Sequence, residues 1–428
     1  MTNNRLAVCG ESPPQHRDER CARLAMSRRA RISGIFRFLS EEVQAGCSAR
    51  RMPADFRRGL PKAAPIPRGV MLLALGIALG GCAHQKPLAP GEALTETERR
   101  EAIARASVWA STNVPRMNLK VGPPGSDAFT SNEWVTCDYK ENNEQSGHSP
   151  KFACETSPGE EIKVKYGPDN AEVFGEVLAS RLFWALGFAA DEMYPVRVRC
   201  RGCPKDPKKE PGKTAGTTVF DPAAIERKLP GRSMETKRDS GWKWSELDTI
   251  GLGAPADARA HRDALKLLAA FVQHTDSKSA NQRLLCPKGQ ETGRTGCLKP
   301  VLMISDLGLT FGEAFLLIKN KNSVSLDTWS QVPVWKDGEA CVAHLKGSLT
   351  GSLSNPKISE AGRAFLAGLL AQLTDTQLKD LFENARVKRR SSDPSDDPDK
   401  EGALARVNEW VTAFKQKRAQ IVERRCSE

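Results

Sequence analysis

The segment His274-Thr-Asp-Ser-Lys-Ser-Ala-Asn281 follows an apolar stretch of helical spacing, and further on Met303-Ile-Ser-Asp306-Leu-Gly308 carries an Asp-x-Gly out of an apolar strand. In the first, Asp276 and Asn281 are separated by four residues; in the second, a strand delivers a carboxylate into a tight turn. A carboxylate that orients a nucleophile, followed by an amide and a carboxylate able to hold a hard cation, is what transfer of a phosphoryl group needs. Each piece also has an ordinary reading, since Asp, Ser and Asn make turns on their own. What lies upstream decides between them.

Working back along the chain, Ile162, Val164 and Tyr166 alternate with Lys163 and Lys165, which puts both lysines on one face of a strand. Either lysine is a candidate to hold the phosphates of a nucleotide. Directly after the strand, Glu172 and Glu176 sit one turn apart on a predicted helix over Asn170–Leu186. A carboxylate there can pair with the strand lysine, and Glu176 is the candidate for that role. Strand Lys, helix Glu, Asp-x4-Asn and Asp-x-Gly thus occur in one order along the chain.

That order resembles the kinases, and specifically the atypical HipA-type and phosphatidylinositol-kinase-like groups, over about residues 130–385. The resemblance implies an α+β protein-kinase-like fold, with a small antiparallel sheet plus helix as N-lobe (95–200) and a mainly helical C-lobe (201–428). It implies Asp276 as catalytic carboxylate, Lys165 and Glu176 as its supporting pair, Lys163 or Lys165 on the nucleotide, and Asn281 and Asp306 as ligands of magnesium, with ATP as phosphoryl donor. The chain departs from the pattern in two places. Thr275 stands where the catalytic loop has Arg, and no G-x-G-x-x-G precedes the strand lysines, since Lys140–Pro150 (KENNEQSGHSP) holds a single Gly.

Around this core, Thr95 and Glu98 form a capping-box signature that predicts a helix to about Ser111. Strands are predicted at Trp134–Tyr139, Lys151–Glu155, Glu161–Tyr166, Tyr194–Cys200 and Pro300–Ser305. Further helices are predicted from Asp257, as N-cap, to His274, and over Ser359–Leu373, Thr374–Ala385 and Gly402–Arg424. Residues 203–216 and the charged stretch after Arg390 read as polar loops.

The N-terminal part has a different character. Val70–Leu79 (VMLLALGIAL) is too short to span a bilayer as a helix. Basic residues precede it and Gly80-Gly81-Cys82 follow, the plan of a secretory signal over 52–81. Leu79-Gly-Gly-Cys82 resembles the bacterial lipobox, which implies a covalent lipid on Cys82, a tether over 82–94, and anchoring to the cell envelope (the outer membrane in a Gram-negative cell). Residues 1–51 read as a non-native or disordered extension, with Met52 opening a signal of ordinary length.

Cleavage there changes the charge balance. Residues 1–81 hold 14 Arg and Lys against 6 Asp and Glu, so +8 of the formal net charge of +12 lies in the discarded part. The basic isoelectric point therefore implies no nucleic-acid partner; the expected partners are the membrane and a protein or other envelope component. Eight cysteines follow Cys82, an even number that fits disulfides in an oxidising compartment. The expected pairs are Cys137–Cys154 and Cys286–Cys297. A local bond Cys200–Cys203 is preferred to half a zinc site or a redox motif. Two further readings stand beside the kinase: a catalytically inactive relative acting as an envelope scaffold, and an unrelated structural lipoprotein.

Overall fold

The computed structural model describes residues 93–427 except 142–148, 251–255, 313–322, 346–349 and 391–401. Cys82, the signal and most of the tether lie outside the described residues.

The capping box forms as its residues predict: Thr95 accepts from the Glu98 N–H while Glu98 reaches back to Thr95, opening α1 (Glu96–Ala104). The helix stops seven residues before the expected Ser111 because the chain beyond it bonds outward. Ser107 N–H donates to the Pro300 carbonyl at 2.8 Å and Ala110 N–H to the Gly187 carbonyl at 2.9 Å.

Five strands follow: β1 (Trp134–Lys140), β2 (Lys151–Ser157), β3 (Glu160–Tyr166), β4 (Glu192–Arg201) and β5 (Thr217–Arg227), closed into a barrel in the order β1-β2-β3-β5-β4. The expected sheet is corrected in two respects. It is not wholly antiparallel, because β1 runs parallel to β4, with Trp134 opposite Arg197 and Cys137 opposite Cys200. It also extends past residue 200, because β5 pairs with both β3 and β4. The physical reason is alternation: Val135, Cys137 and Tyr139 of β1, Ile162, Val164 and Tyr166 of β3, and Tyr194, Val196 and Val198 of β4 all point inward into one buried cluster. A sheet with that much apolar inner surface buries it best by closing on itself.

Between β3 and β4 lies α2 (Glu172–Leu186), buried at every position but Trp184. Its C-terminal Gly187 has φ 84°, and a Cβ there would strike the Ala110 carbonyl oxygen; only glycine fits both demands. The larger core surrounds α2 and the helices α3 (Ala256–Phe271), α4 (Leu326–Gln331), α5 (Glu360–Ala371), α6 (Asp375–Asn384) and α7 (Gly402–Glu423). Ser359 and Thr374, the first residues of the two expected helices, are the N-caps of α5 and α6. Asp257 falls inside the first turn of α3 rather than at its cap, and α3 ends at Phe271 because Gln273 takes the left-handed conformation, φ 55°.

This part is less purely helical than the sequence suggested. It also contains β6 (Gly231–Ser233), β7 (Asp276–Ser277), β8 (Gln282–Pro287), a hairpin β9–β10 (Glu291–Thr292, Gly296–Cys297), β11 (Val301–Ile304), a pair β12–β13 (Trp335–Asp337, Val342–Ala343) and β14 (Thr350–Gly351). The sheet β11-β8-β6 carries the Asp-x-Gly turn at its end. Trp242 and Trp244 are both buried, and the Trp242 indole donates to the Met303 carbonyl at 3.1 Å. Among the described residues no helix is long and apolar enough to cross a membrane.

All three expected disulfides are present: Cys137–Cys154, Cys200–Cys203 and Cys286–Cys297. A fourth, Cys341–Cys426, joins positions 85 residues apart and ties the end of α7 to the β12–β13 region. Replacing both cysteines by Ser is expected to lower unfolding stability by roughly 2–4 kcal/mol, since the unfolded chain regains the freedom of a long loop. Chemical denaturation of the variant beside the parent checks this; an unchanged midpoint contradicts it.

Candidate functional site

The site is built where β3, α2 and the turn after β11 meet. On β3, Ile162, Val164 and Tyr166 point inward and the two lysines lie on the opposite face, as the alternation requires. Their fates differ. Lys163 remains partly exposed and pairs with Glu226, its neighbour across β5. Lys165 is 1% exposed, and its ammonium lies 2.7 Å from Glu172 Oε2, against Glu176 Oε1, and 3.9 Å from Asp306 Oδ2.

Two glycines allow this approach. A Cβ on Gly308 would come within 2.5 Å of the Glu172 side chain, and a Cβ on Gly175 within 2.5 Å of the Gly308 carbonyl oxygen. The glycine of Asp-x-Gly is therefore needed for close contact with α2, which brings Asp306 beside the two glutamates. The Gly308 N–H also donates to Asp306 Oδ1 at 3.0 Å, fixing the carboxylate in the turn.

Electrostatics follow from burial and from this crowding. Burial favours a neutral amine at Lys165, but the carboxylates of Asp306, Glu172 and Glu176 outweigh it and hold the group charged, well above the usual lysine range. Burial likewise raises Glu176 well above the usual carboxylate range, against the pull of Lys165. Asp306 behaves oppositely: burial opposes its charge, yet Lys165 and the Gly308 N–H hold it below the usual range. Asp306 is also the most accessible of the three carboxylates, its side chain 36% exposed against 10% for Glu172 and 3% for Glu176.

The catalytic-loop-like segment packs against the same turn. The Asn281 amide donates to the Asp276 carbonyl at 2.7 Å, and the Asn281 carbonyl accepts from Ser305 N–H at 2.8 Å and Asp306 N–H at 3.3 Å. Asp276, Asn281 and Asp306 are thus stitched together through the backbone. The Asp276 carboxylate itself points to Lys278, 2.8 Å away. His274 is fully buried with neither ring nitrogen hydrogen-bonded, near Trp244.

Three participants were not singled out from the sequence. Lys278 follows Asp276 by two residues. Ser149 donates to Glu172. Lys151 lies directly opposite Lys165 in the β2–β3 register, on the same face, and burial together with Lys165 and Lys163 pushes its ammonium down. Glu172 joins the lysine pair as fully as Glu176 does. The i, i+4 spacing of the two glutamates already allowed this, but Lys151 had no signal short of the strand register.

The donors present suit a hard divalent cation. Carboxylate oxygens of Glu172, Glu176 and Asp306 lie within 4.8 Å of one another, and Glu176 Oε2 is buried without a hydrogen-bond partner. An all-oxygen set of this kind favours magnesium or manganese over zinc. Because Lys165 occupies the two glutamates, the carboxylate of this group most open to a cation is Asp306.

No family model matches the chain, and no curated protein matches it. Among solved structures it is similar to the Helicobacter pylori proinflammatory kinase CtkA, at 11% identity and TM-score 0.37 over 67% of this chain and 94% of that one. It is also similar to HipA of the Shewanella oneidensis MR-1 toxin–antitoxin system, determined with HipB and operator DNA, at 11% identity and TM-score 0.29 over 78% of this chain and 73% of that one. Superpositions this loose carry no weight for the site. Its side chains must carry the reading.

One consequence of the site's construction is measurable. Burial pushes the His274 imidazole down to about 4, whereas an unfolded histidine titrates near 6.5. Between those values the unfolded chain binds a proton that the folded chain does not, so stability falls as pH drops through that window, by roughly 3 kcal/mol in total. Denaturation at pH 7 and pH 4 should show the parent losing about that much more than His274→Leu. Equal losses would show that His274 takes up a proton in the fold.

Proposed function

We propose that this protein is a kinase-like phosphotransferase, anchored to the cell envelope by a lipid on Cys82, that moves the γ-phosphoryl group of ATP to a hydroxyl. The observation that carries the reading is the buried Lys165 ammonium bridging Glu172 and Glu176 and facing Asp306, because it joins strand, helix and Asp-x-Gly turn in one ion cluster.

In this reading Lys165 and Lys151 draw in the phosphates, and Glu172 and Glu176 keep the Lys165 side chain extended toward them. Lys151 supplies some of the cover that a glycine-rich loop gives elsewhere. Asp306 and Asn281 hold the divalent cation, which when bound neutralises phosphate charge. Asp276 accepts the hydrogen bond of the attacking hydroxyl. The hydroxyl oxygen bonds to the γ-phosphorus as the bond to the β–γ bridging oxygen breaks, ADP leaves, and the hydroxyl proton passes to Asp276 and then to solvent. Lys278, beside Asp276, offsets charge on the group in transit. The acceptor is a hydroxyl of a protein, lipid headgroup or sugar.

Four disulfides support export, because such bonds persist in oxidising compartments. Intact mass of the native protein tests the anchor: a chain beginning at an acylated Cys82 is expected, and an unmodified Met1 or Met52 start would refute it.

A second reading has its own support. Lys165 is held by two carboxylates instead of one, an arrangement that also suits an inactive relative keeping the cluster for stability while its surface binds an envelope partner. Thermal unfolding with magnesium and ATP separates the two. The active form is stabilised by about 2.7 kcal/mol at a hundredfold excess over Kd, and chelation removes the effect. No shift at millimolar ATP would leave the scaffold.

A further inference from the structure

A second, unrelated concentration of charge lies where the barrel meets the helices. A cavity of about 470 Å³ is lined by Arg197 of β4, Arg386, Lys388 and Arg389 of the turn after α6, and the carboxylates of Asp221 on β5 and Glu383 on α6. Its volume falls within the range of small-molecule sites. It shares no lining residue with the ion cluster around Lys165.

The arginines are held in place. Arg386 is 4% exposed, sits in the left-handed conformation at φ 55°, and donates to the carbonyls of Val196 at 3.2 Å and Ala223 at 2.6 Å. Its Nε is buried without a hydrogen-bond partner. Burial, then the neighbouring Arg389 and Arg197, pushes its guanidinium down to about 10, so three guanidinium groups repel one another here. Asp221 offsets this in part, 2.6 Å from Arg389 and 3.8 Å from Arg386. A simple strut between helix and barrel would need Arg386 alone. The convergence of Arg197 and Arg389 on the same cavity sets three guanidinium groups against the carboxylates of Asp221 and Glu383 among the described residues, and an anion would relieve the repulsion.

The positive surface continues outward. The guanidinium groups of Arg197 and Arg199 lie over the ring of Trp134, 4.6 and 4.0 Å from its centroid, and Trp134 is 38% exposed. Stacking, and for Arg197 the bond from Nε to the Asn132 carbonyl at 2.9 Å, hold these planar groups in place, and a fixed guanidinium plane suits phosphate binding through paired hydrogen bonds.

We propose that this cavity is a binding site for a phosphate-bearing ligand, separate from the nucleotide site, with Arg197 and Arg389 as its principal ligands and Arg386 as a buried positioning residue. A phosphorylated metabolite and a phospholipid headgroup share this chemistry.

The test uses inorganic pyrophosphate with the purified protein in EDTA, so that cation-dependent binding at the Asp306 site does not contribute. Calorimetry is expected to show binding that weakens with salt and that falls at least tenfold in Arg197→Ala/Arg389→Ala. Arg201→Ala, which removes a β4 arginine paired with Asp138 outside the cavity, should leave it unchanged. Flotation with vesicles of phosphatidylcholine containing phosphatidylglycerol, against phosphatidylcholine alone, identifies the source. Capture lost in the double variant points to a lipid headgroup, and pyrophosphate binding without capture points to a soluble ligand. Neither probe binding, or binding equal in the double variant and the control, overturns the proposal. Failure of the kinase reading would leave these results untouched, since no nucleotide or divalent cation is present.

Discussion

Lys165→Met should both unfold more easily and lose nucleotide binding. The ammonium is buried between two buried glutamates, and methionine keeps the length of the side chain while removing its charge. Glu172 and Glu176 are then left facing each other with Asp306 nearby and no cation among them. Breaking a buried ion pair from one side costs about 3–5 kcal/mol, because the orphaned charge stays buried. The double variant Lys165→Met/Glu176→Gln should recover much of that stability, since one of the uncompensated acids becomes neutral. It should not recover magnesium-dependent ATP binding. Urea denaturation and calorimetry on the parent and both variants read the two effects separately. Full ATP binding by the single variant would remove Lys165 from the site, and unchanged stability would mean that the glutamates take up protons at little cost.

Asp306→Asn should lose activity far more than stability. Asp306 is partly exposed, and Lys165 and the Gly308 N–H favour its charged form in the fold, so neutralising it should cost some stability, less than the loss at the buried Lys165. Its isosteric amide still accepts from the Gly308 N–H, so the turn keeps its shape. What it loses is charge toward a divalent cation. Phosphoryl transfer should fall by about two to three orders of magnitude, the scale for removing one preorganised electrostatic partner from a transition state. ATP hydrolysis or transfer to a generic acceptor, measured against magnesium concentration, checks this. A fall in stability matching the fall in activity would argue that Asp306 is structural. A variant as active as the parent would end the phosphotransferase reading and leave the scaffold.

Lys165 and Lys163 show where sequence reasoning reaches its limit. Strand alternation put both on one face and could not choose between them, because the choice depends on what each meets across the chain. Glu226 lies on β5, a strand the sequence reading did not contain, and it takes Lys163. Lys165, opposite the start of α2, meets Glu172 and Glu176. Lys151 was passed over for the same reason: its closeness to Lys165 is a matter of β2–β3 register.

Local chemistry settled much in advance. The capping box at Thr95 opened its helix, helices began at Ser359 and Thr374, Gly187 closed α2, and three disulfides joined cysteines close in sequence. These features depend on contacts within a few residues, or within a hairpin, so the sequence alone contains them. The order of strand lysine, helix glutamate, Asp-x4-Asn and Asp-x-Gly was also legible. Closure of the barrel through the parallel β1–β4 pair, the bond between Cys341 and Cys426, the meeting of four cationic side chains from two elements at one cavity, and the contact of Gly308 with Glu172 were not. Each joins residues far apart in the chain, and the free energy that selects such contacts comes from burying surface collectively, which no local pattern records.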